Sequence, residues 1–251
     1  MNRLLGRRGL GAGLTAGAAT ALACGCGQAL AQHQPPPPAA DRLLDAGAAL
    51  LQGKAPLNAM NLYLDGFHFY ADDMGRAVEA HHYCTHLTED LHQCTIFDAN
   101  HAGARLIGLE YIISEKLFLQ LPEDEKPLWH SHHHETTSGL LVMPGIPEAV
   151  ETLAMRRLAT TYGKTWHTWQ VDRGDTLPLG IPQLMMGFTA DGQLDPALVA
   201  ARDRRLGVSV AESRAARRDI PVPRPAAGAN AWQQGETPQL TRQTVPVRNR
   251  R

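Results

Sequence analysis

Cysteine is scarce in this chain: four residues in 251, two of which (Cys24 and Cys26) fall within the first thirty positions. That excludes a small secreted scaffold held together by several bridges. Charge of one sign is lacking as well, since 24 Lys+Arg oppose 25 Asp+Glu. Nucleic acid is therefore not an expected partner, because binding a phosphate backbone calls for a basic surplus. No stretch after the first thirty residues is apolar for the roughly 18 positions that a membrane-spanning helix needs. A G-x-S-x-G elbow, a phosphate loop and an H-E-x-x-H helix are also missing, which removes support for the common hydrolase, nucleotide and zincin chemistries. What remains is 43% hydrophobic and 20% charged, the composition of a globular chain with one sizeable core.

Histidine is what the chain has in excess. Ten of the twelve histidines, and both cysteines beyond the first thirty residues, lie between Gly66 and Gly145. Imidazole and thiolate are the side chains that bind transition metals and exchange protons near neutral pH, so this density asks for a chemical explanation.

The organisation reads in four parts. Residues 1–31 have the form of a signal peptide, with Arg3, Arg7 and Arg8, a weakly apolar run from Gly9 to Ala23, and Ala29-Leu30-Ala31 as a cleavage site before Gln32. The Arg7-Arg8 pair suits twin-arginine export and the ordinary secretory route alike, and Cys24 offers an alternative lipoprotein tether to a membrane; an exported, periplasmic or secreted location follows. Residues 32–40 form a proline-rich linker, with four consecutive prolines that keep it extended. Residues 41–219 are expected to fold as a single α+β domain with a mostly antiparallel sheet and several flanking helices. Residues 220–251, with five arginines and one glutamate, read as a disordered basic tail.

Within the domain, Val78 to Leu87 and His92 to Asp98 are expected to pair as a hairpin about the turn Thr88-Glu89-Asp90. Arg105 to Ile113 is apolar at both alternating sets of positions and predicts a strand covered on each side, interrupted by Glu110 at a wet edge or beside an arginine. Helices are expected at 147–162, from Pro196 to about Leu206, and after Ser209, where Ser209 to Glu212 spells a capping box. Lys164 to Asp172 and Gln183 to Thr189 read as further strands.

Alternation along the first hairpin strand puts His82, Cys84 and His86 on one face. With the turn centred near Glu89, Cys84 falls opposite Cys94 and His86 opposite His92, which gathers donors suited to a tetrahedral zinc or other transition-metal site. A disulfide between Cys84 and Cys94, or two inert buried thiols, fits the same pattern. The second cluster, Trp129-His130-Ser131-His132-His133-His134-Glu135, would project His130 and His132 together if extended. Its H-x-H spacing is similar to the first metal motif of cupin barrels, although the histidine of the second cupin motif is missing from its place. A polar histidine-rich turn is the plainer reading. The metal candidates are thus His82, Cys84, His86, Cys94, His130 and His132.

The strings GFHFYADDM, VEAHHYCTHL, QCTIFD, ARLIGLEYIISEKLF, LWHSH, YGKTWHTWQVDRGD and LPLGIPQLMM resemble the oil body-associated protein family over about Pro56 to Leu206. The resemblance implies a domain of unknown biochemical activity whose plant members are linked to seed lipid droplets, and it supplies no catalytic residues. Three expectations stand: a metal-binding domain, a non-enzymatic domain on a lipid or membrane surface, or a disulfide-stapled structural domain.

Overall fold

The computed structural model describes residues 38–221 and 223–248. The expected signal peptide, the Arg7-Arg8 pair and Cys24 lie outside the described residues. The first helix, α1 (Ala39–Leu51), buries none of its residues and exposes Leu43, Leu44, Leu50 and Leu51. A single helical turn, α2 (Ala55–Asn58), then leads into the sheet. No helix among the described residues is long and apolar enough to cross a membrane.

The strands β1 (Leu62–Tyr70), β2 (Asp73–His86), β3 (Leu91–Phe97) and β4 (Leu106–Ser114) follow one another as antiparallel neighbours. After a longer excursion the chain returns through β5 (His130–Ser131), β6 (Thr161–His167) and β7 (Gln183–Met186). One edge of β6 pairs with β4 over seven residues, and the other pairs with β5 and then β7. Because β7 also pairs with β1 at Phe69↔Met186 and Tyr70↔Met185, the six strands β1-β2-β3-β4-β6-β7 close into an antiparallel barrel. The α+β reading with antiparallel pairing holds, and closure of the sheet is what the sequence did not reveal. Closure leaves each strand one inner and one outer face. Hence β4 is covered throughout on its inner face, while on its outer face Leu109 and Tyr111 are partly exposed and Ile113 is buried against Phe118 and Tyr162.

Helices pack around this barrel where their caps predict. In α3 (Glu115–Phe118) the Ser114 hydroxyl accepts from the Leu117 N–H, in α6 (Pro196–Leu206) the Asp195 carboxylate accepts from Ala197, and in α7 (Val210–Ala216) the Ser209 hydroxyl accepts from Glu212. A short α4 (His133–Ser138) ends on Gly139 at φ 84°, a left-handed position where a side chain would also meet the Val210 carbonyl. The helix expected at 147–162 is α5 (Glu148–Leu158); it buries Met155 and Glu151 and leaves Val150 and Leu153 exposed.

Two buried clusters fill the two ends of the barrel. At one end Leu64, Cys84, Cys94 and Ile112 meet Leu141, Met143 and the α5 residues Met155 and Ala159. At the other, Tyr70, Val78, Ala80, Ile96, Ile107 and Met185 pack together. Outside the wall, Phe67, Phe69, Leu184, Met186 and Phe188 form a further cluster under α6.

The expected disordered tail departs most from its composition. Residues 223–239 lie along the barrel: the Pro223 carbonyl is 2.8 Å from His133 Nδ1, Ala226 N–H donates to the Tyr162 hydroxyl, and Trp232 packs edge-on against Phe69. Asn230, at φ 54°, accepts from the Ser131 N–H and donates to the Ser131 hydroxyl, and its own N–H bonds the Trp129 carbonyl. A few well-placed side chains suffice to dock a segment poor in core residues, and composition does not register them.

Candidate metal centre

Between the two apolar plugs the barrel interior is polar. Strand alternation places His68 two residues from Tyr70, His82 between Ala80 and Cys84, and Glu110 two residues before Ile112, all pointing inward. His167 enters from the end of β6, and His130 enters from β5, whose pairing with Gly163 brings it beside β6. His132 sits where the chain turns from β5 into α4. Each of these six residues is at most 4% exposed.

Glu110 is the hub. Its Oε2 is 2.9 Å from His82 Nε2 and 3.9 Å from His68 Nε2; its Oε1 is 3.2 Å from His132 Nε2 and 3.4 Å from His130 Nε2. Only the His132 contact is aligned as a hydrogen bond, and His132 is oriented from behind by Thr161 Oγ1 at 2.8 Å from its Nδ1. Both ring nitrogens of His82 and of His130 are buried without a hydrogen-bond partner. His68 Nδ1 lies 3.4 Å from His167 Nε2, which fixes the ring from the far side.

The electrostatics follow from burial. Burial alone would push the Glu110 carboxyl up, but the attraction of His130, His132 and His82 outweighs it and holds the group well below the usual carboxylate range. Burial presses His68 and His132 below the ordinary imidazole range and takes His167 down to about 3. Of the rings around the carboxylate, His68 and His132 thus resist protonation, and no lysine or arginine among the described residues lies within ion-pair distance of it. Beside it, Glu135 is driven well above the usual carboxylate range by burial and by the Glu110 charge.

Two glycines make the convergence possible. A β-carbon on Gly163 would lie 2.0 Å from Glu110 Oε1, 2.8 Å from His132 Nε2 and 2.9 Å from His130 Cε1. On Gly187 it would lie 2.8 Å from Glu135 Oε1 and 2.9 Å from His130 Cδ2. Ligand atoms of His68, Glu110 and His130 lie within 4.8 Å of one another, as do those of His130, His132 and Glu135. Imidazole nitrogen with carboxylate oxygen is the donor set of zinc, iron, manganese and copper sites. A third group, Asp65, Glu79 and His81, lies on the outer wall and is joined to Arg202 and Arg205, as an ion-pair network would be.

Of the residues singled out from sequence, His82, His130 and His132 come together at Glu110. Cys84 and Cys94 are joined by a disulfide in the interior layer beside them, so in this state neither is a ligand. His86 stacks edge-on with His92 at the hairpin end, with ring centroids 4.2 Å apart, away from Glu110's contacts. Glu110 itself is at neither a wet edge nor an arginine: it interrupts an apolar strand because it faces the barrel interior. His68 and His167 lie outside the residues singled out from sequence, and Glu135 enters there only as the end of the second cluster. A histidine in the otherwise apolar GFHFY run was the available signal for the first.

Fold and site together define a closed antiparallel β-barrel with a buried histidine–carboxylate centre. The family described as "Protein of unknown function (DUF1264)" matches residues 54–221. Oil body-associated protein 1A of Zea mays is 55% identical over 172 residues, covering 68% of this chain and 72% of the relative. Oil body-associated protein 1B of Arabidopsis thaliana is 51% identical over 175 residues, covering 70% and 73%, and protein 2A of Zea mays is 47% identical over 186 residues, covering 73% and 74%. The chain belongs to the oil body-associated protein family. No solved structure matches it.

Proposed function

We propose that this protein binds one transition-metal ion inside its barrel, with Glu110 and imidazoles drawn from His68, His82, His130 and His132 as ligands. The observation that carries this reading is the buried Glu110 carboxylate, which has imidazole nitrogens around both oxygens and no lysine or arginine among the described residues within ion-pair distance. Isolating a charge in a low-dielectric interior is costly, and a metal ion supplies the missing positive charge and the missing bonds together. His167 and Thr161 would then fix the rings of His68 and His132 through their Nδ1 atoms, as ligand histidines require. The test is elemental analysis of protein isolated without an affinity tag or chelator. The expected result is about one zinc, iron, manganese or copper per chain, lost when Glu110→Gln is combined with His132→Ala. Absence of metal from the wild type, before and after incubation with each ion, would overturn the proposal.

A second reading, association with a lipid surface, is supported by the names of the relatives. Flotation of the purified protein with phospholipid vesicles tests it, and failure to float would count against it. The exposed leucines of α1 are outside the matched region, so truncation before Ala55 should leave any family-wide lipid association intact. Export is likewise proposed from the first 31 residues, and a mature N-terminus at Gln32 is the outcome expected from sequencing the protein.

A further inference from the structure

The Cys84–Cys94 disulfide adjoins a second pair of metal-binding side chains that the Glu110 centre does not use. The β2–β3 register sets Cys84 opposite Cys94 and His86 opposite His92. Residues two apart on a strand share a face, so the two sulfurs and the two imidazoles point to the same side of the hairpin. The cysteines are buried at 3% exposure, whereas His86 is exposed and His92 half-buried, which leaves this end of the hairpin open to solvent. The rings of His86 and His92 stand 4.2 Å apart between centroids, with no carboxylate within ion-pair distance of either among the described residues.

We infer that this hairpin is a redox-gated metal site, in which Cys84, Cys94, His86 and His92 form a Cys₂His₂ set for zinc once the disulfide is reduced. The geometry favours it in three ways. Cys84 and Cys94 face each other with α-carbons 4.0 Å apart. Two Zn–S bonds of about 2.3 Å at a tetrahedral angle hold sulfurs roughly 3.8 Å apart, a span that cross-strand side chains reach. Both strands are also held by other neighbours, β2 by β1 at Leu62↔Cys84 and β3 by β4 at Cys94↔Glu110 and His92↔Ile112, so the thiols remain opposed after the S–S bond is broken. A dithiol reductant supplies two electrons and two protons, becoming a disulfide itself as the Cys84–Cys94 bond opens to two thiols. Zinc then displaces one proton from each thiol to solvent. Cys94 pairs with Glu110 across the β3–β4 ladder, but none of the four side chains is a ligand of the barrel centre, so the inference goes beyond that centre and can fail or succeed without it.

The experiment uses the full chain carrying Cys24→Ser and Cys26→Ser, so that every titratable thiol belongs to the hairpin. The protein is reduced with a dithiol, freed of it by gel filtration under argon, checked for two free thiols, and titrated with cobalt(II) as a spectroscopic stand-in for zinc. The expected result is a sulfur-to-cobalt charge-transfer band saturating at one ion per chain and bleached by zinc, absent before reduction and absent from Cys84→Ser/Cys94→Ser. In His86→Ala/His92→Ala the band should require on the order of tenfold more cobalt or greater. Two free thiols without the band, or a band indifferent to the histidine pair, would overturn the inference. So would loss of near-ultraviolet circular dichroism on reduction that zinc does not restore, because a gated site needs a barrel that survives reduction.

Discussion

Two carboxylates sit within the same barrel wall, and their surroundings differ. Asp65 on the outer face is fully buried, and its Oδ1 accepts from Arg202 Nη1 at 2.8 Å. Arg202, itself fully buried, also donates to the Leu140 carbonyl and to Asp203, and its guanidinium lies over the Phe67 ring. Arg217 repeats the pattern nearby, donating to the carbonyls of Thr136 and Leu141 and pairing with Glu151. Glu110 on the inner face is as deeply buried, yet its ion-pair neighbours among the described residues are all imidazoles, and His82 and His130 make no hydrogen bond through either ring nitrogen. The outer face sets each buried carboxylate against a guanidinium, although Asp65 Oδ2 and Arg202 Nη2 still lack an aligned hydrogen bond, and burial together with the Glu79 charge pushes the Asp65 carboxyl up to about 8. The inner face leaves a charge incompletely answered, and natural proteins keep such arrangements where a ligand completes them.

The contrast fails first if the outer pair proves dispensable. Arg202→Met keeps the side-chain volume but strands the Asp65 carboxylate, which should cost about 3–5 kcal/mol, read as a fall in the urea midpoint. A shift below ~1 kcal/mol would mean that the two faces are energetically alike. Next in size is Gly163→Ala. The added methyl falls on Glu110 Oε1 and beside His132 and His130, so overpacking of about 3 kcal/mol is expected together with loss of bound metal. Retained metal at full stoichiometry would show that the ion does not need this convergence. Asn230→Ala, which leaves the Ser131 N–H without its acceptor, should cost about 1–2 kcal/mol, and circular dichroism melting will register it as a lowered Tm.

How far the sequence foretold this site depends on the length scale of each signal. The cross-strand pairing of Cys84 with Cys94 and His86 with His92 was legible, because a short polar turn sets the register of a hairpin. The cap at Ser209 is legible for the same reason: capping is decided within three residues. Convergence of His68 with Glu110 and His130 was not, since it depends on barrel closure through β7, a four-residue strand that pairs with β1 from more than a hundred positions away. Composition reads the tail as disordered and does not register two anchors, Asn230 and Trp232, whose contacts hold residues of this segment against the barrel. Glu110 was noticed as an anomaly in an apolar strand. Its partners were out of reach until the strand was known to curve round to them.

The finest discrimination between the two faces comes from Glu110→Gln, where the expected effect on the metal-free protein is smallest. Replacing the carboxylate by an amide of the same shape removes a buried charge that no lysine or arginine among the described residues balances. The variant should therefore match or exceed the wild type in urea midpoint when both are measured in chelator, within ~1 kcal/mol. Adding the native ion reverses the order. Wild type should gain RT ln(1 + [L]/Kd), about 2.7 kcal/mol at a hundredfold excess over Kd, while Glu110→Gln gains little. A variant that is already several kcal/mol weaker in chelator would show Glu110 to be a structural partner of its histidines, as Asp65 is of Arg202. Crossing of the two stability orders on metal addition is the behaviour that only a ligand-completed centre shows.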